Sequence, residues 1–217
     1  SLRDSRIGPT EVLSRAVVDA GVPVLVNASA VGYYGDRGDE VLTETSAPGR
    51  GYLAGVVRDW EAAAAPAVQA GVPVAHARTG IVLAAHGGAL SPMLRLARLG
   101  LGGPLASGRQ WMPWISLDDV VGVYTRLVED ASVTGAVNAT APHPERQRDL
   151  ASALGRHLHR PAVLPAPSHP GELQLWKREP RQPRGSAQPG RLGQPPGPRR
   201  ARGLRVTASV ALLKSHL

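Results

Sequence analysis

The sequence predicts an α/β protein with a doubly wound parallel sheet, because three features of its pattern agree. Short apolar runs of strand length alternate with longer segments of helical periodicity. Glycine follows two of the helical segments, as is typical of helix ends. Apolar residues make up 42% of the 217 residues, which is enough for a packed core. Strands that alternate with helices indicate βαβ units, whose functional residues gather at the carboxyl ends of the strands.

The first half of the chain repeats one helix–strand unit. A helix is predicted over residues 14–20, and the buried strand that follows it, residues 22–29, ends in small polar residues. The unit recurs as an alanine-rich helix over residues 52–70 and a strand over residues 72–79. The repetition predicts that the two strands are parallel.

The second half continues the alternation. A short strand at residues 114–115 leads into a helix over residues 118–129. A strand over residues 135–140 and a helix over residues 145–157 follow. We therefore expect function at the predicted strand ends. These ends are residues 28–30, 79–80 and 140–142.

The net charge of +8 is confined to the C-terminal quarter. Residues 1–167 hold 15 Arg against 15 acidic residues, whereas residues 168–217 hold 10 basic residues against 2 acidic ones, with 7 Pro and 6 Gly. This composition predicts a disordered tail after Pro167. With Trp176 as its one aromatic residue, the tail offers no stacking pattern for nucleic acid, so no specific nucleic-acid partner is expected.

Several functional classes are excluded by composition. The absence of Cys excludes disulfides and thiolate chemistry, and no apolar run approaches the length of a membrane span. The histidines show no metal-binding spacing, and Asp118 and Asp119 are interpreted as residues at a helix start. We expect a soluble, cytoplasmic protein with no metal site and no membrane partner.

Five collinear motifs carry a resemblance to a known family. Together they resemble the epimerase-like branch of the extended short-chain dehydrogenase/reductases, the NAD-dependent epimerase/dehydratase family. The motifs are residues 27–36 (NASAVGYYGD), 59–61 (DWE), 78–83 (RTGIVL), 100–110 (GLGGPLASGRQ) and 114–119 (WISLDD).

The resemblance implies an incomplete Rossmann-like sheet that lacks its first βαβ units, since the sequence contains no strand, Gly-rich turn and helix for a dinucleotide pyrophosphate. It implies three regions: a partial NAD(P)-binding domain over residues 1–142, the start of a small C-terminal domain over residues 143–167, and the tail over residues 168–217. Our hypothesis for the tail is a reading-frame shift near Ser168, and the alternative is a natural disordered segment. The glycine-rich residues 100–108 are interpreted as a loop beside the substrate.

The resemblance also implies an NAD(P) cofactor, an unidentified small-molecule substrate and a homodimer formed through the helix that starts near Tyr52. The implied function is that of an NAD(P)-dependent oxidoreductase or isomerase. The implied catalytic residues are Ser29, Tyr33 and Tyr52, the cofactor-binding residues are Ala28, Gly80, Ile81 and Val82, and the substrate-binding residues are Arg78, Arg109, Gln110 and Trp114.

Three of these assignments have alternatives. Tyr33 and its neighbour Tyr34 are also consistent with packing, and Arg78 with an ion pair inside the sheet. The Tyr-x-x-x-Lys pair of the superfamily is missing, because Val56 lies four residues after Tyr52 and residues 1–167 contain no Lys. We therefore expect this chain to have no catalytic activity. The alternative function is that of a non-catalytic Rossmann-fold binding module.

Overall fold

The computed structural model describes residues 1–84 and 87–164. The predicted tail over residues 168–217 lies outside the described residues. The helices are α1 (Asp4–Asp19), α2 (Tyr52–Ala62), α3 (Ala65–Gln69), α4 (Leu90–Arg98), α5 (Leu117–Glu129) and α6 (Gln147–His157), and a 3-10 turn spans Val31–Tyr34. The strands are β1 (Leu25–Ala30), β2 (Val74–Thr79), β3 (Ile81–Ala84), β4 (Gly87–Gly88), β5 (Trp111–Met112), β6 (Trp114–Ser116), β7 (Gly135–Ala139) and β8 (Glu145–Arg146).

A parallel sheet in the order β1–β2–β7 forms the centre of the structure. Its register places Ser29 of β1 opposite Arg78 of β2, and Arg78 opposite Asn138 of β7. Because side chains at matched positions share a face, these three polar residues form one row across the sheet near its carboxyl edge. We call this row the polar ladder.

Helices cover both faces of the sheet. On one face Val17 of α1 packs with Leu25 and Val74. On the opposite face Leu127 of α5 packs against Ala75 and Ala77 of β2. Alternation along β2 sends Val74 and Ala75 to opposite faces, which is why the sheet needs two helical layers. The predicted α/β doubly wound class is confirmed.

The predicted continuous helix over residues 52–70 is wrong, because the chain breaks between α2 and α3. In a continuous helix, Pro66 could not donate a hydrogen bond to the carbonyl of Ala62, and its ring would clash with that carbonyl, whereas proline is tolerated in the first turn of α3. The buried Ser14 hydroxyl of α1 donates to the carbonyl of Ala64 (3.1 Å) and accepts from the N–H of Ala67 (2.9 Å). Ser14 thus adds side-chain hydrogen bonds at the start of α3, where the Ala67 N–H also donates to the Ala64 carbonyl at 3.1 Å.

Two smaller sheets contain the predicted strand at residues 114–115, which is β6, and four strands that the pattern did not predict. β6 pairs in parallel with β3, which pairs antiparallel with β4, while β5 and β8 form a separate antiparallel pair. Ser116 caps α5 by accepting the N–H of Asp119 at 3.0 Å, so Asp119 lies in the first helical turn rather than at the cap. Within residues 1–84 and 87–164, no helix is both long and apolar enough to cross a membrane.

Candidate functional site

A cavity of about 930 Å³ lies beside the carboxyl ends of β1 and β2. Val31, which follows β1, and Ile81, which follows β2, both line it. This is the edge at which parallel α/β sheets bind ligands. The remaining lining residues are Gly38, Asp39, Ala106, Ser107, Arg109, Gln110, Trp111, Met112, Pro113 and Arg146.

The outer wall of the cavity is held by three side chains from distant parts of the sequence. The Arg146 guanidinium lies 4.0 Å from the centroid of the Trp111 ring, its partner across the β5–β8 pair. Asp39 Oδ1 accepts hydrogen bonds from Trp111 Nε1 (2.7 Å) and from Arg146 Nη2 (2.9 Å). Arg146 also donates to the carbonyl of Arg109. These contacts fix the Trp111 indole in the cavity wall.

Three of the site residues predicted from the sequence line this cavity: Ile81, Arg109 and Gln110. Gln110 Nε2 donates to the carbonyl of Leu105 at 3.0 Å. The glycine-rich loop contributes Ala106 and Ser107 to the cavity lining. The binding roles of these residues stay predictions.

A second group of predicted residues belongs to a buried network under α2. Arg78 and Glu61 form an ion pair with two hydrogen bonds, Nε to Oε1 (2.8 Å) and Nη2 to Oε2 (2.9 Å). Their side chains are only 5% and 11% exposed, so this pair is shielded from water. Of the two interpretations of Arg78, the structure shows the ion pair.

Ser29 and the two tyrosines surround this ion pair. The Ser29 hydroxyl donates to Glu61 Oε1 at 2.6 Å, and the centroid of the Tyr33 ring lies 3.4 Å from the Arg78 guanidinium carbon. Tyr34 is fully buried, accepts a hydrogen bond from Arg78 (3.0 Å) and donates one to Asn138 Oδ1 (2.7 Å). Ser29 therefore directs its proton towards Glu61, and none of these residues lines the cavity.

The network controls the charge states of its members. Burial raises the pKa of the Tyr34 phenol, which therefore stays protonated at neutral pH. Burial alone would raise the pKa of Glu61, but hydrogen bonds from Arg78 and Ser29 outweigh it, so the pKa lies below its usual value. Burial lowers the pKa of His76, whose Nδ1 lies 3.2 Å from the Asn27 amide nitrogen.

The lowered pKa of His76 predicts that the free energy of unfolding falls as the pH drops below about 6.5, the usual pKa of a histidine in an unfolded chain. In this pH range the unfolded chain binds a proton that the folded chain resists, so acid favours unfolding. The slope due to His76 is at most about 1.4 kcal/mol per pH unit. Urea unfolding across this range should show the slope, and His76→Gln should remove it. A slope that persists in the variant would assign the effect to another group.

The other predicted residues lie apart from both groups. Tyr52 is 66% exposed at the start of α2, and Ala28 is exposed on β1. Val82 packs against Ile115 and its neighbours, and Trp114 Nε1 donates to the carbonyl of His143 at 3.2 Å. The backbone at Gly80 packs tightly, since a Cβ built there would lie 2.3 Å from the carbonyl oxygen of Pro113.

The residues that sequence reasoning missed are those whose partners are distant in the chain. Glu61 stands in a recognised motif, but only the fold brings it to Arg78. Asn138, Asp39 and Arg146 carry no local signal for their contacts with Tyr34 and Trp111. Among the described residues, no group of three or more His, Asp or Glu side chains is arranged to hold a metal ion.

Comparisons with known proteins identify the family. No family model matches the sequence. An epimerase family protein of Mycobacterium bovis is 51% identical over 168 residues, which are 77% of this chain and 56% of that protein. A human epimerase family protein is 36% identical over 167 residues, or 76% of this chain and 57% of that protein. The chain thus spans about half the length of these relatives.

Solved structures agree with the sequence comparison. The crystal structure of a human epimerase family protein with NADPH superposes with a TM-score of 0.73 at 34% identity, covering 80% of this chain and 59% of that one. A nucleoside-diphosphate sugar epimerase from Corynebacterium glutamicum gives a TM-score of 0.67 at 38% identity, covering 83% and 40%. The fold and the position of the cavity define a protein of the extended short-chain dehydrogenase/reductase type. Within this class, the chain belongs to the epimerase-like family.

Proposed function

We propose that this chain forms the substrate side of an NAD(P)-dependent oxidoreductase or isomerase that acts on a small molecule. The observation that carries the proposal is the position of the cavity, which meets the carboxyl ends of β1 and β2 through Val31 and Ile81. In sheets of this type the reacting parts of cofactor and substrate meet at that edge. The human relative with NADPH in its structure supports the choice of cofactor.

The chain's own residues fit one end of a dinucleotide only. Ile81 lines the cavity directly after β2, and Ala28 is exposed near the end of β1, so we expect a flat nicotinamide ring to lie at this edge. Within residues 1–84 and 87–164, no strand is followed by a Gly-rich turn and a helix that could receive a pyrophosphate. We propose that NADPH binds to the chain weakly and through its nicotinamide end.

The proton relay of the superfamily is incomplete in the described residues. Tyr52 is 66% exposed, and Val56, the residue one helical turn later, is 3% exposed and cannot act as a cation. The buried Tyr34 phenol holds its proton and does not reach the cavity. We propose that the residues of the cavity position substrate and cofactor, and that the described residues do not complete the proton transfer.

Saturation-transfer NMR with NADPH tests this proposal. The nicotinamide protons should receive more saturation than the adenine protons, and Ile81→Asp should reduce the signal because it places a charge at the cavity edge. Gly122→Ala, inside α5 and outside the cavity lining, serves as the control that leaves the signal unchanged. A chain that folds cooperatively but shows no nicotinamide signal would favour the non-catalytic binding module instead.

The absence of a relay is tested separately by NADPH oxidation. With a panel of carbonyl compounds, the chain should show no oxidation above background. Measurable turnover would contradict the proposed lack of a complete relay.

A further inference from the structure

We propose that the cavity takes a substrate with an apolar, ring-bearing body and a single anionic group, rather than a polyhydroxylated sugar. This inference rests on the proposed function and specifies the substrate class of the same site. It is carried by two independent features of the cavity: the apolar character of its walls and one arginine that lacks a charge partner.

The walls beside the strand ends are apolar. Val31, Ile81, Met112 and Pro113 line this part of the cavity, and the Trp111 ring, held by Asp39 and Arg146, completes it. Sugar hydroxyls placed against these side chains would lose hydrogen bonds to water without replacement. A flat apolar ring would instead stack on the indole and gain contact area.

The cavity lining carries more positive than negative charge, with Arg109 and Arg146 against Asp39. Arg146 is paired with Asp39 at 2.9 Å, donates to the Arg109 carbonyl and lies against Trp111, so its guanidinium is already engaged. Arg109 lines the same cavity, and its guanidinium has no acidic partner within residues 1–84 and 87–164. One positive charge is left for a ligand, and a guanidinium matches the geometry of a carboxylate or phosphate.

The two arginines therefore have different roles. Arg109 would contact the anionic group directly and set the specificity for charge. Arg146 is a positioning residue, because it holds the Trp111 ring through stacking and through their shared partner Asp39. The separation of these roles predicts that losing Arg109 affects charged ligands only, whereas losing Trp111 affects charged and neutral ring compounds alike.

Calorimetric titration with three probes tests the substrate class. The probes are 2-naphthoate, its neutral counterpart 2-naphthylmethanol, and UDP-glucose. We expect 2-naphthoate to bind about tenfold more tightly than the alcohol, the low end of what a hydrogen bond to a charged group contributes at an exposed site. Raising the salt concentration should narrow the difference, because screening weakens an exposed ion pair.

Variants assign the effect to residues. Arg109→Gln should bring 2-naphthoate to the affinity of the alcohol, while Arg98→Gln, an exposed arginine on α4 outside the cavity, should change neither. Trp111→Leu should weaken both ring compounds. Thermal unfolding of each variant confirms that it is folded. Equal binding of the two naphthyl probes to the unmodified chain, or tighter binding of UDP-glucose, would overturn the proposal.

Binding of the naphthyl probes and the nicotinamide signal from NADPH are independent measurements, so this inference and the proposed function can fail separately. Selective binding of 2-naphthoate without a nicotinamide signal from NADPH would support the substrate class and overturn the cofactor. A nicotinamide signal without charge selectivity would support the cofactor and overturn the substrate class.

Discussion

Replacing Arg78 with methionine is expected to lower the free energy of unfolding by about 3–5 kcal/mol, as is typical when one member of a buried ion pair is removed. The Glu61 carboxylate, 11% exposed, would lose both hydrogen bonds from the guanidinium and remain in a site shielded from water. Urea denaturation at neutral pH measures the change: the midpoint concentration of urea should fall, while the dependence of the free energy of unfolding on urea concentration stays the same.

The double variant Arg78→Met with Glu61→Leu is the control for this prediction. Replacing a whole buried pair with apolar side chains of similar size is often neutral, so the double variant should recover most of the lost stability. A double variant as unstable as the single one would mean that the loss comes from packing around Tyr33 and Tyr34 rather than from the unpaired charge.

Gly80→Ala is expected to lower the free energy of unfolding by about 3 kcal/mol, the upper part of the usual range for overpacking. The new methyl group would lie 2.3 Å from the Pro113 carbonyl oxygen, which already accepts the N–H of Ile81 at 2.7 Å. Neither backbone segment can shift easily to make room for the methyl group. Because Pro113 lines the cavity, binding of 2-naphthoate should weaken as well.

Gly122→Ala provides the matched control for Gly80→Ala. A Cβ at Gly122 has no neighbour within 4 Å, and the residue lies inside α5. Alanine in a helix interior should therefore raise the free energy of unfolding by about 0.5–1 kcal/mol. Equal effects of the two substitutions would show that the close approach at Gly80 is not what limits the stability of this region.

Most long elements were predictable from periodicity, whereas β6 was the only strand of two to four residues among the described elements that the sequence predicted. β1, β2, β7 and α5 match the predicted elements except at their ends. β5 and β8 have two residues each, too few for any period to appear. The sequence analysis also did not predict α4. This helix carries Pro92 in its first turn, where proline is tolerated, although proline in a sequence usually indicates the end of a helix.

The candidate site was predicted in its location and only partly in its residues. The strand ends and the loop at residues 100–110 pointed to the edge where the cavity lies, because a parallel sheet brings carboxyl ends together. The buried network could not be predicted from the sequence, because residues such as Tyr34 and Asn138 are 104 positions apart and meet only in the folded structure. Alternation along a strand could not show that Ser29 faces Glu61 rather than the cavity.

The polar ladder also determines which sheet the chain can build. Slipping β2 by one residue would turn Arg78 to the opposite face and bring Ala77 or Thr79 beneath α2, leaving Glu61 buried without its ion-pair partner. Competing pairings of these strands would thus be penalised by electrostatics as well as by packing. We expect the double variant without Arg78 and Glu61 to regain stability yet populate shifted pairings, since an apolar ladder no longer distinguishes one register from the next.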